Sequence, residues 1–200
     1  MFKTIVFVSL CLFLSIGMWA QELQVEEVRT IKNINDEEGI MNCVTFSPDG
    51  KLIATGCSTG VLTIWDAASG EEIRKIKMKG NAHNIRFTPD GKGVVCVNQG
   101  AGKIYFFTVK DGKEYLGFDA PGEFTLSFNK KGDRLLGARD QRIVIWDTNT
   151  GKQILEFKAG CGYAAFSADE KTIISGKGGK LFFWNAETGK ELPEIGRAHV

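Results

Sequence analysis

The chain has 200 residues, of which 25 are Lys or Arg and 24 are Asp or Glu, so its formal net charge is +1. This balance provides no electrostatic attraction for a polyanion, and the lysines are scattered instead of forming one basic face. Nucleic-acid binding is therefore not expected.

The first twenty residues are predicted to be a secretory signal peptide. Lys3 is followed by an uncharged run, rich in Ile, Val, Phe and Leu, that continues up to Gln21. This organisation is typical of a signal peptide, with cleavage expected after Ala20. The run is also close to the shortest length that crosses a bilayer as a helix, so an uncleaved membrane anchor stays open as the alternative. Cleavage would make the protein secreted or periplasmic.

The central feature of the sequence is a unit of about forty residues that recurs four times between residues 41 and 190. Two aromatic positions recur once in each unit. The first is held by Phe46, Phe87, Phe128 and Phe166, and the second by Trp65, Phe107, Trp146 and Trp184. A repeat of this length is typical of a β-propeller in which each unit is a four-stranded blade. The sequence therefore predicts an all-β fold with four visible blades over residues 21–194.

Tight turns join the strands of each unit. Phe46 leads into SPDGK at residues 47–51, in which proline presets the first turn dihedral, aspartate bonds its own backbone, and glycine adopts the left-handed conformation. The second unit repeats this turn at residues 88–92, and the third and fourth units keep it in weaker form. Four acidic residues in turns are therefore interpreted as structural and not as catalytic or metal-binding groups. They are Asp49, Asp90, Asp140 and Asp169.

Each second aromatic position closes a strand, as in residues 61–65 and 143–146. These strands are apolar on both faces, as expected where a sheet is sandwiched between neighbouring sheets. In the first unit Gly70 then marks the turn into an outer strand, and a glycine recurs at this place in the other units.

The pairs Trp65-Asp66 and Trp146-Asp147, the SPDGK turn and the repeat period together resemble the WD-repeat β-propellers over residues 28–194. The chain departs from that family in two ways. The usual Gly-His pair ahead of the first strand is missing from every unit, and the tight-turn aspartate ahead of the Trp strand is kept clearly only as Asp140. The resemblance implies a ring-shaped propeller, and the signal peptide fits an exported bacterial protein.

The number of units predicts a longer protein. Propellers have about four to eight blades, and a ring of about seven blades at about forty residues each needs more chain than four units supply. The fourth unit is interrupted near residue 190, where its outer strand should form. Residues 195–200, IGRAHV, match the translation of a common sequencing adapter and are expected to be read-through, so the chain is expected to be a C-terminally truncated fragment. Its open strand edges predict poor solubility or self-association.

Four cysteines remain after the signal peptide: Cys43, Cys57, Cys96 and Cys161. In an exported protein they could form disulfides in three pairings, or they could be small buried hydrophobic residues, which is the preferred interpretation. None forms a C-x-x-C pair or neighbours a histidine. No metal site and no cofactor are therefore expected.

Catalytic motifs are also missing from the sequence. His83 is a lone histidine, expected in a loop between two blades, and such a residue is usually solvated and not a general base. The glycine-containing stretch at residues 98–103 is expected to be a hairpin turn, because strands flank it on both sides and no helix follows. The chain is therefore not expected to be an enzyme.

Binding residues are expected on loops, which a rigid scaffold presents to partners. The connections between blades and the turns between second and third strands should share one rim of the propeller. The predicted partner-binding residues on that rim are Asn81, His83, Asn98, Gln99, Arg139, Gln141 and Lys177. Tyr105 and Tyr163 are expected to be core aromatics.

The leading functional hypothesis is an exported, non-catalytic propeller that acts as a protein-protein interaction scaffold through these rim loops. Two alternatives stay open. The propeller could be the docking or gating module of a hydrolase whose catalytic domain is absent from this sequence, or a structural subunit of a cell-envelope assembly. A protein partner, without nucleic acid, is expected in each case.

Overall fold

The computed structural model describes residues 39–122, 124–160 and 162–193. The predicted signal peptide and residues 195–200 lie outside the described residues. No helix in the described part of the chain is long and apolar enough to cross a membrane.

The described residues form antiparallel sheets from strands that follow one another in sequence. Sheet 1 contains β1 (Met41–Phe46), β2 (Leu52–Cys57), β3 (Val61–Asp66) and β4 (Glu72–Lys77). Sheet 2 contains β5 (Ala82–Phe87), β6 (Gly93–Asn98), β7 (Lys103–Thr108) and β8 (Glu114–Asp119). Sheet 3 contains β9 (Thr125–Phe128), β10 (Arg134–Arg139), β11 (Arg142–Asp147) and β12 (Gln153–Lys158). Sheet 4 contains β13 (Ala164–Phe166), β14 (Thr172–Lys177) and β15 (Lys180–Asn185).

The predicted all-β propeller architecture is confirmed, with one difference in the last unit. Three sheets have four strands, whereas sheet 4 has three strands in the described residues. In place of an outer strand, Glu191 forms a single antiparallel bridge with Trp184. Bulges interrupt the pairing of the third and fourth strands just before each second aromatic position in sheets 1 to 3.

Three apolar cores lie between successive sheets, because the middle strands are apolar on both faces. Val94 and Cys96 of β6 pack towards sheet 1, whereas Val95 and Val97 pack towards sheet 3. All four residues are fully buried. The prediction that these strands are sandwiched is therefore confirmed.

The second aromatic position packs on the sheet that precedes it. Trp146 lies in the core between sheets 2 and 3, and Trp184 lies in the core between sheets 3 and 4. Trp184 also donates a 2.8 Å hydrogen bond from Nε1 to Ser175 Oγ. Gly137 occupies the equivalent place beside Trp146, and a Cβ there would be 2.6 Å from the indole ring. The two tryptophans are thus held by different means.

Three of the four predicted turn aspartates accept hydrogen bonds within the turns in which they lie. Asp49 accepts hydrogen bonds from Ser47 Oγ at 2.6 Å and from Lys51 N at 3.1 Å. The hydroxyl bond is the main reason that the pKa of Asp49 lies below its usual value. Asp90 and Asp169 make the same pair of bonds in their own turns. Asp140 has a φ of +52° in the two-residue turn between β10 and β11.

The cysteines that the structure describes lie in or beside the first two sheets. Cys57 and Cys96 are buried, at 2% and 0% exposure, and Cys43 is half-buried. Cys43 and Cys96 are free thiols, and burial is the main cause that raises the pKa of both. These two positions agree with the preferred interpretation of small apolar residues that pack in or beside the core. Cys161 lies outside the described residues.

Candidate partner-binding rim

Sheet topology divides the loops between two rims. In a sheet of consecutive antiparallel strands, the turns between second and third strands lie at the same end as the connections to the next sheet. This end is named rim A. The turns between first and second strands and between third and fourth strands lie at the opposite end, which is named rim B. The first strands of successive sheets lie against one another, so the rim A connections converge beside them.

A cavity of about 560 Å³ opens on rim A between sheets 2, 3 and 4. Gln99 enters it from the β6–β7 turn, Arg139 from the end of β10, and Tyr163 from the loop ahead of β13. Phe124 is 2% exposed and contributes an apolar wall. Its ring packs edge-to-face on Trp146, with the centroids 5.3 Å apart, so this wall is anchored in the core.

Arg139 is held in place by its neighbours. Its Nε donates a 2.8 Å hydrogen bond to Asp140 Oδ2, and its Nη1 donates a 3.1 Å bond to the Pro121 carbonyl oxygen. Gly122 has a φ of +122°, and a Cβ at this residue would overlap the guanidinium. A guanidinium has five N–H groups, so donors remain for a ligand after these two bonds.

Tyr163 is presented by a loop that is tied to sheet 3. Thr125 Oγ1 lies 2.8 Å from the Gly162 carbonyl oxygen and 3.2 Å from the Ala138 carbonyl oxygen. The hydroxyl therefore links the β12–β13 loop to β10. Tyr163 itself is 76% exposed, so its ring is available to a partner.

Among the predicted rim residues, the structure brings Gln99 and Arg139 together in this cavity. Gln141 is exposed in the adjacent β10–β11 turn, and Asn81 is half-buried just ahead of β5. Lys177 ends β14, and nothing is described of its side chain.

Two predicted rim residues differ from expectation. Asn98 is 0% exposed, because its side-chain amide donates to the Lys79 carbonyl and its Oδ1 accepts a 3.0 Å bond from Ala101 N. It shapes the β6–β7 turn and does not offer its side chain to a partner. His83 lies within β5 and not in a loop, and its Nε2 is 3.2 Å from Asn42 Nδ2 of sheet 1.

Tyr163 is the rim residue that sequence reasoning missed. The expectation of a core position for Tyr163 is wrong, because β13 begins only at Ala164 and leaves the tyrosine in the preceding loop. Gly160 and Gly162, which both lie just ahead of Tyr163, were a usable signal, since glycines favour a loop over a strand. Tyr105 is partly buried and packs against the core between sheets 1 and 2.

Within the described residues, no group of three or more His, Cys, Asp or Glu side chains is arranged to hold a metal ion. The polar side chains that line the rim A cavity in the described part of the chain are those of Asn84, Gln99, Thr125, Arg139, Asp140 and Tyr163. Their chemistry is that of recognition by hydrogen bonding and ring contact.

Comparison with known proteins agrees with this architecture. Residues 27–66 match the family model described as "WD domain, G-beta repeat". The chain is similar to WD-repeat proteins. It is 31% identical over 153 residues to telomerase protein component 1 of Mus musculus, an alignment that covers 72% of this chain and 6% of that protein.

Two further relatives are from plants. The small ribosomal subunit protein RACK1 of Medicago sativa is 28% identical, with 69% of this chain and 36% of that protein covered. Autophagy-related protein 16 of Arabidopsis thaliana is 25% identical, with 81% of this chain and 33% of that protein covered. The chain thus spans well under half the length of each of these relatives.

Among solved structures, a chain of the Kuenenia stuttgartiensis hydrazine synthase superposes with a TM-score of 0.65 at 17% sequence identity. The match covers 74% of this chain and 47% of that chain. At this identity the likeness concerns the fold and carries no information on activity.

Proposed function

We propose that the protein is a non-catalytic interaction scaffold that binds a protein partner on rim A, with Arg139, Tyr163 and Gln99 as the main contacts. The cavity that gathers these three side chains carries the proposal. WD40 propeller relatives are typically protein-interaction scaffolds. Two of the relatives are also named as parts of larger assemblies, one as a telomerase component and one as a small ribosomal subunit protein.

The residue types fit a protein-binding hot spot. Tyrosine and arginine are enriched among the few interface residues that provide most of the binding energy, especially in desolvated pockets. Here the Arg139 guanidinium is oriented by Asp140 and Pro121 before any partner arrives. Such preorganisation reduces the entropy that binding must overcome. A partner carboxylate on Arg139, beside an apolar group on Tyr163 and Phe124, would suit this surface.

The test compares capture of partners from the source organism by the full chain and by rim variants. Arg139→Ala and Tyr163→Ala should each reduce recovery of a specific partner, with a loss of about 2 kcal/mol or more at a hot spot. Lys113→Ala, at an exposed residue on rim B, is the matched control and should leave recovery unchanged. Equal recovery by all variants would count against rim A.

Export is part of the same proposal. It is supported by the charged start and the apolar run of residues 1–20. Expression of the full chain in a bacterium, followed by fractionation and N-terminal sequencing, should recover a periplasmic protein that begins at Gln21. Membrane-bound protein that retains Met1 would favour the anchor instead.

Completion of the propeller by a further sheet is also part of the proposal. On the face of sheet 4 that points away from sheet 3, Leu181 is 67% exposed and Ile174 is 36% exposed. The equivalent residues of sheet 3, Ile143 and Leu136, are 0% exposed because sheet 4 covers them. The full chain should therefore self-associate in sedimentation experiments, and Leu181→Lys should reduce this association. A monodisperse wild-type monomer would contradict the expectation.

A further inference from the structure

Asn84 of β5 also lines the rim A cavity, on the wall formed by a first strand. It lies three residues ahead of the first aromatic position of its sheet. Thr125 and Tyr163 occupy the same place in the next two sheets, and both line the same cavity. One position of the repeat therefore supplies a polar side chain to this cavity from each of three successive sheets.

The backbone at Asn84 departs from that of an ordinary strand. Its φ is +46°, whereas Thr125 and Tyr163 are not among the residues with positive φ. The pairing of β5 with β6 shifts register between His83 and Arg86, so Asn84 lies within a β-bulge. Bulges re-aim side chains and are over-represented next to functional sites. The bulge thus sets the direction of the Asn84 side chain on rim A.

Left-handed backbone is unfavourable for a residue other than glycine, and instances of it cluster at ligand-binding sites. Within the described residues, the non-glycine residues with positive φ are Asn84, Asp140 and Glu170. Asn84 and Asp140 both line the rim A cavity. Asp140 adopts its conformation in a two-residue turn, whereas Asn84 lies within a strand, so a tight turn does not account for it. The backbone strain at Asn84 therefore indicates a role in the site.

The Asn84 carboxamide has unused hydrogen-bonding groups. The residue is half-buried, and its side chain forms no hydrogen bond with any residue that the structure describes. The Thr125 hydroxyl, by contrast, lies 2.8 Å from the Gly162 carbonyl oxygen and is engaged with the neighbouring loop. A carboxamide has two N–H donors and an oxygen acceptor. At Asn84 these groups are available to a partner.

The donors and the acceptor of a carboxamide match the main chain of a polypeptide. In an extended chain each residue directs its own N–H and C=O to the same side, and one carboxamide can bond both groups. A main-chain residue carries no net charge, so this contact does not depend on the charge of the cavity, where Arg139 and Asp140 are paired at 2.8 Å. An extended segment of a partner polypeptide therefore suits the wall at Asn84.

We infer that Asn84 is a further partner-binding residue of rim A, whose carboxamide hydrogen-bonds the N–H and C=O of one residue in an extended segment of the partner. This inference rests on the proposed function, because the partner is the one that binds rim A. The bulge and the left-handed backbone hold the carboxamide at the cavity before the partner arrives. Preorganisation of this kind reduces the ordering that binding requires.

The probe is a peptide that the full-length chain selects from a phage-displayed library of random peptides. Counter-selection against Arg139→Ala restricts the selected peptides to rim A. The selected peptide is then labelled and titrated with each protein, and binding is measured by fluorescence anisotropy. Asn84→Gly removes the carboxamide, and its affinity for the peptide should fall about fivefold or more, because two hydrogen bonds are lost.

Asn84→Gly should stay folded, because glycine adopts positive φ without strain, and its urea midpoint should be close to that of the wild type. Glu170→Gly is the matched control, since it removes a side chain at another left-handed residue, in the β13–β14 turn on rim B. This control should leave peptide binding unchanged.

The peptide main chain is tested separately by replacing its N–H groups with N–CH₃, one at a time. At one position this change should weaken binding to the wild type about fivefold. The same change should have little further effect on binding to Asn84→Gly, because the hydrogen bond is already lost there.

The inference is overturned if folded Asn84→Gly binds the peptide as tightly as the wild type does, and the role of Arg139 on rim A would then still stand. It is equally overturned if every N-methylated peptide loses as much affinity for Asn84→Gly as for the wild type. Selection that yields no peptide dependent on Arg139 would overturn the proposed function, and this inference with it.

Discussion

Thr55 and Thr63 allow one substitution to be tested in two opposite situations. The two residues face each other across the β2–β3 ladder and are 6% and 1% exposed. Thr55 Oγ1 accepts a 2.9 Å hydrogen bond from Trp65 Nε1. Thr63 Oγ1 has no hydrogen-bond partner among the residues that the structure describes. Replacement by valine should therefore destabilise the protein at Thr55 and stabilise it at Thr63.

The magnitudes follow from what each hydroxyl does. Thr55→Val leaves the buried indole N–H of Trp65 without an acceptor, and an unpaired buried donor costs about 1–3 kcal/mol. Thr63→Val replaces a buried, unpaired hydroxyl with a methyl group and removes a desolvation cost of about 1–3 kcal/mol. Allowing for imperfect repacking, we expect the free energy of unfolding to fall by about 1–2 kcal/mol in the first case and to rise by about 0.5–2 kcal/mol in the second.

Urea unfolding followed by tryptophan fluorescence and by circular dichroism would measure both changes. The dependence of the free energy on urea should be the same in all three proteins, so that the shift in midpoint reports stability alone. Each variant is the matched control of the other, because the substitution, sheet and β-propensity are shared. Shifts of equal size and the same sign would refute the reasoning, since hydrogen-bond status would then not decide the outcome.

Three further predictions concern the turns and rim A. The Ser167 hydroxyl is the main cause that lowers the pKa of Asp169 from 3.8, so the stability that this pair contributes is complete above that value and is lost as the pH falls through the lower pKa of the folded protein. Asp169→Asn should therefore flatten the acid dependence of the unfolding free energy below about pH 4. An unchanged dependence on pH would count against this prediction. Glu170 has a φ of +61° at a turn position that glycine holds in the other sheets. The free energy of unfolding of Glu170→Ala, measured in urea, should therefore be about 1 kcal/mol lower than that of Glu170→Gly. Equal free energies of unfolding would contradict this prediction. A Cβ at Gly122 would overlap the Arg139 guanidinium, so Gly122→Ala should displace that side chain. The displacement would change the Arg139 Nε–H signal in nuclear magnetic resonance spectra. An unaltered signal would show that the loop adjusts without moving the guanidinium.

The repeat made much of the fold predictable. A period of about forty residues and doubly apolar strands predicted the sheets and their sandwiching, because these patterns reflect local strand geometry and burial on both faces. The turn role of Asp49 and Asp169 was also predictable, since the bonds they make are to residues two positions away. Interactions confined to a few neighbouring residues can be inferred from sequence.

The candidate site was predictable only in part. Topology placed Gln99 and Arg139 on one rim, and the structure brings them into one cavity. Burial of Asn98 was not foreseen, because it depends on the Lys79 carbonyl, nineteen residues away. Exposure of Tyr163 was missed because the residue at which β13 begins depends on its pairing with β14.

The sequence by itself determined the repeat, the strand order and the turn chemistry, because each depends on residues that are close together in the chain. Tertiary structure alone decided which equivalent residues are buried. Phe46 and Phe87 hold the same position in the repeat, yet Phe46 is 62% exposed and Phe87 is 6% exposed. Phe87 packs in the core between sheets 1 and 2, whereas Phe46 is not part of that core. Burial is a property of two surfaces in contact, so it cannot be determined from one of them alone.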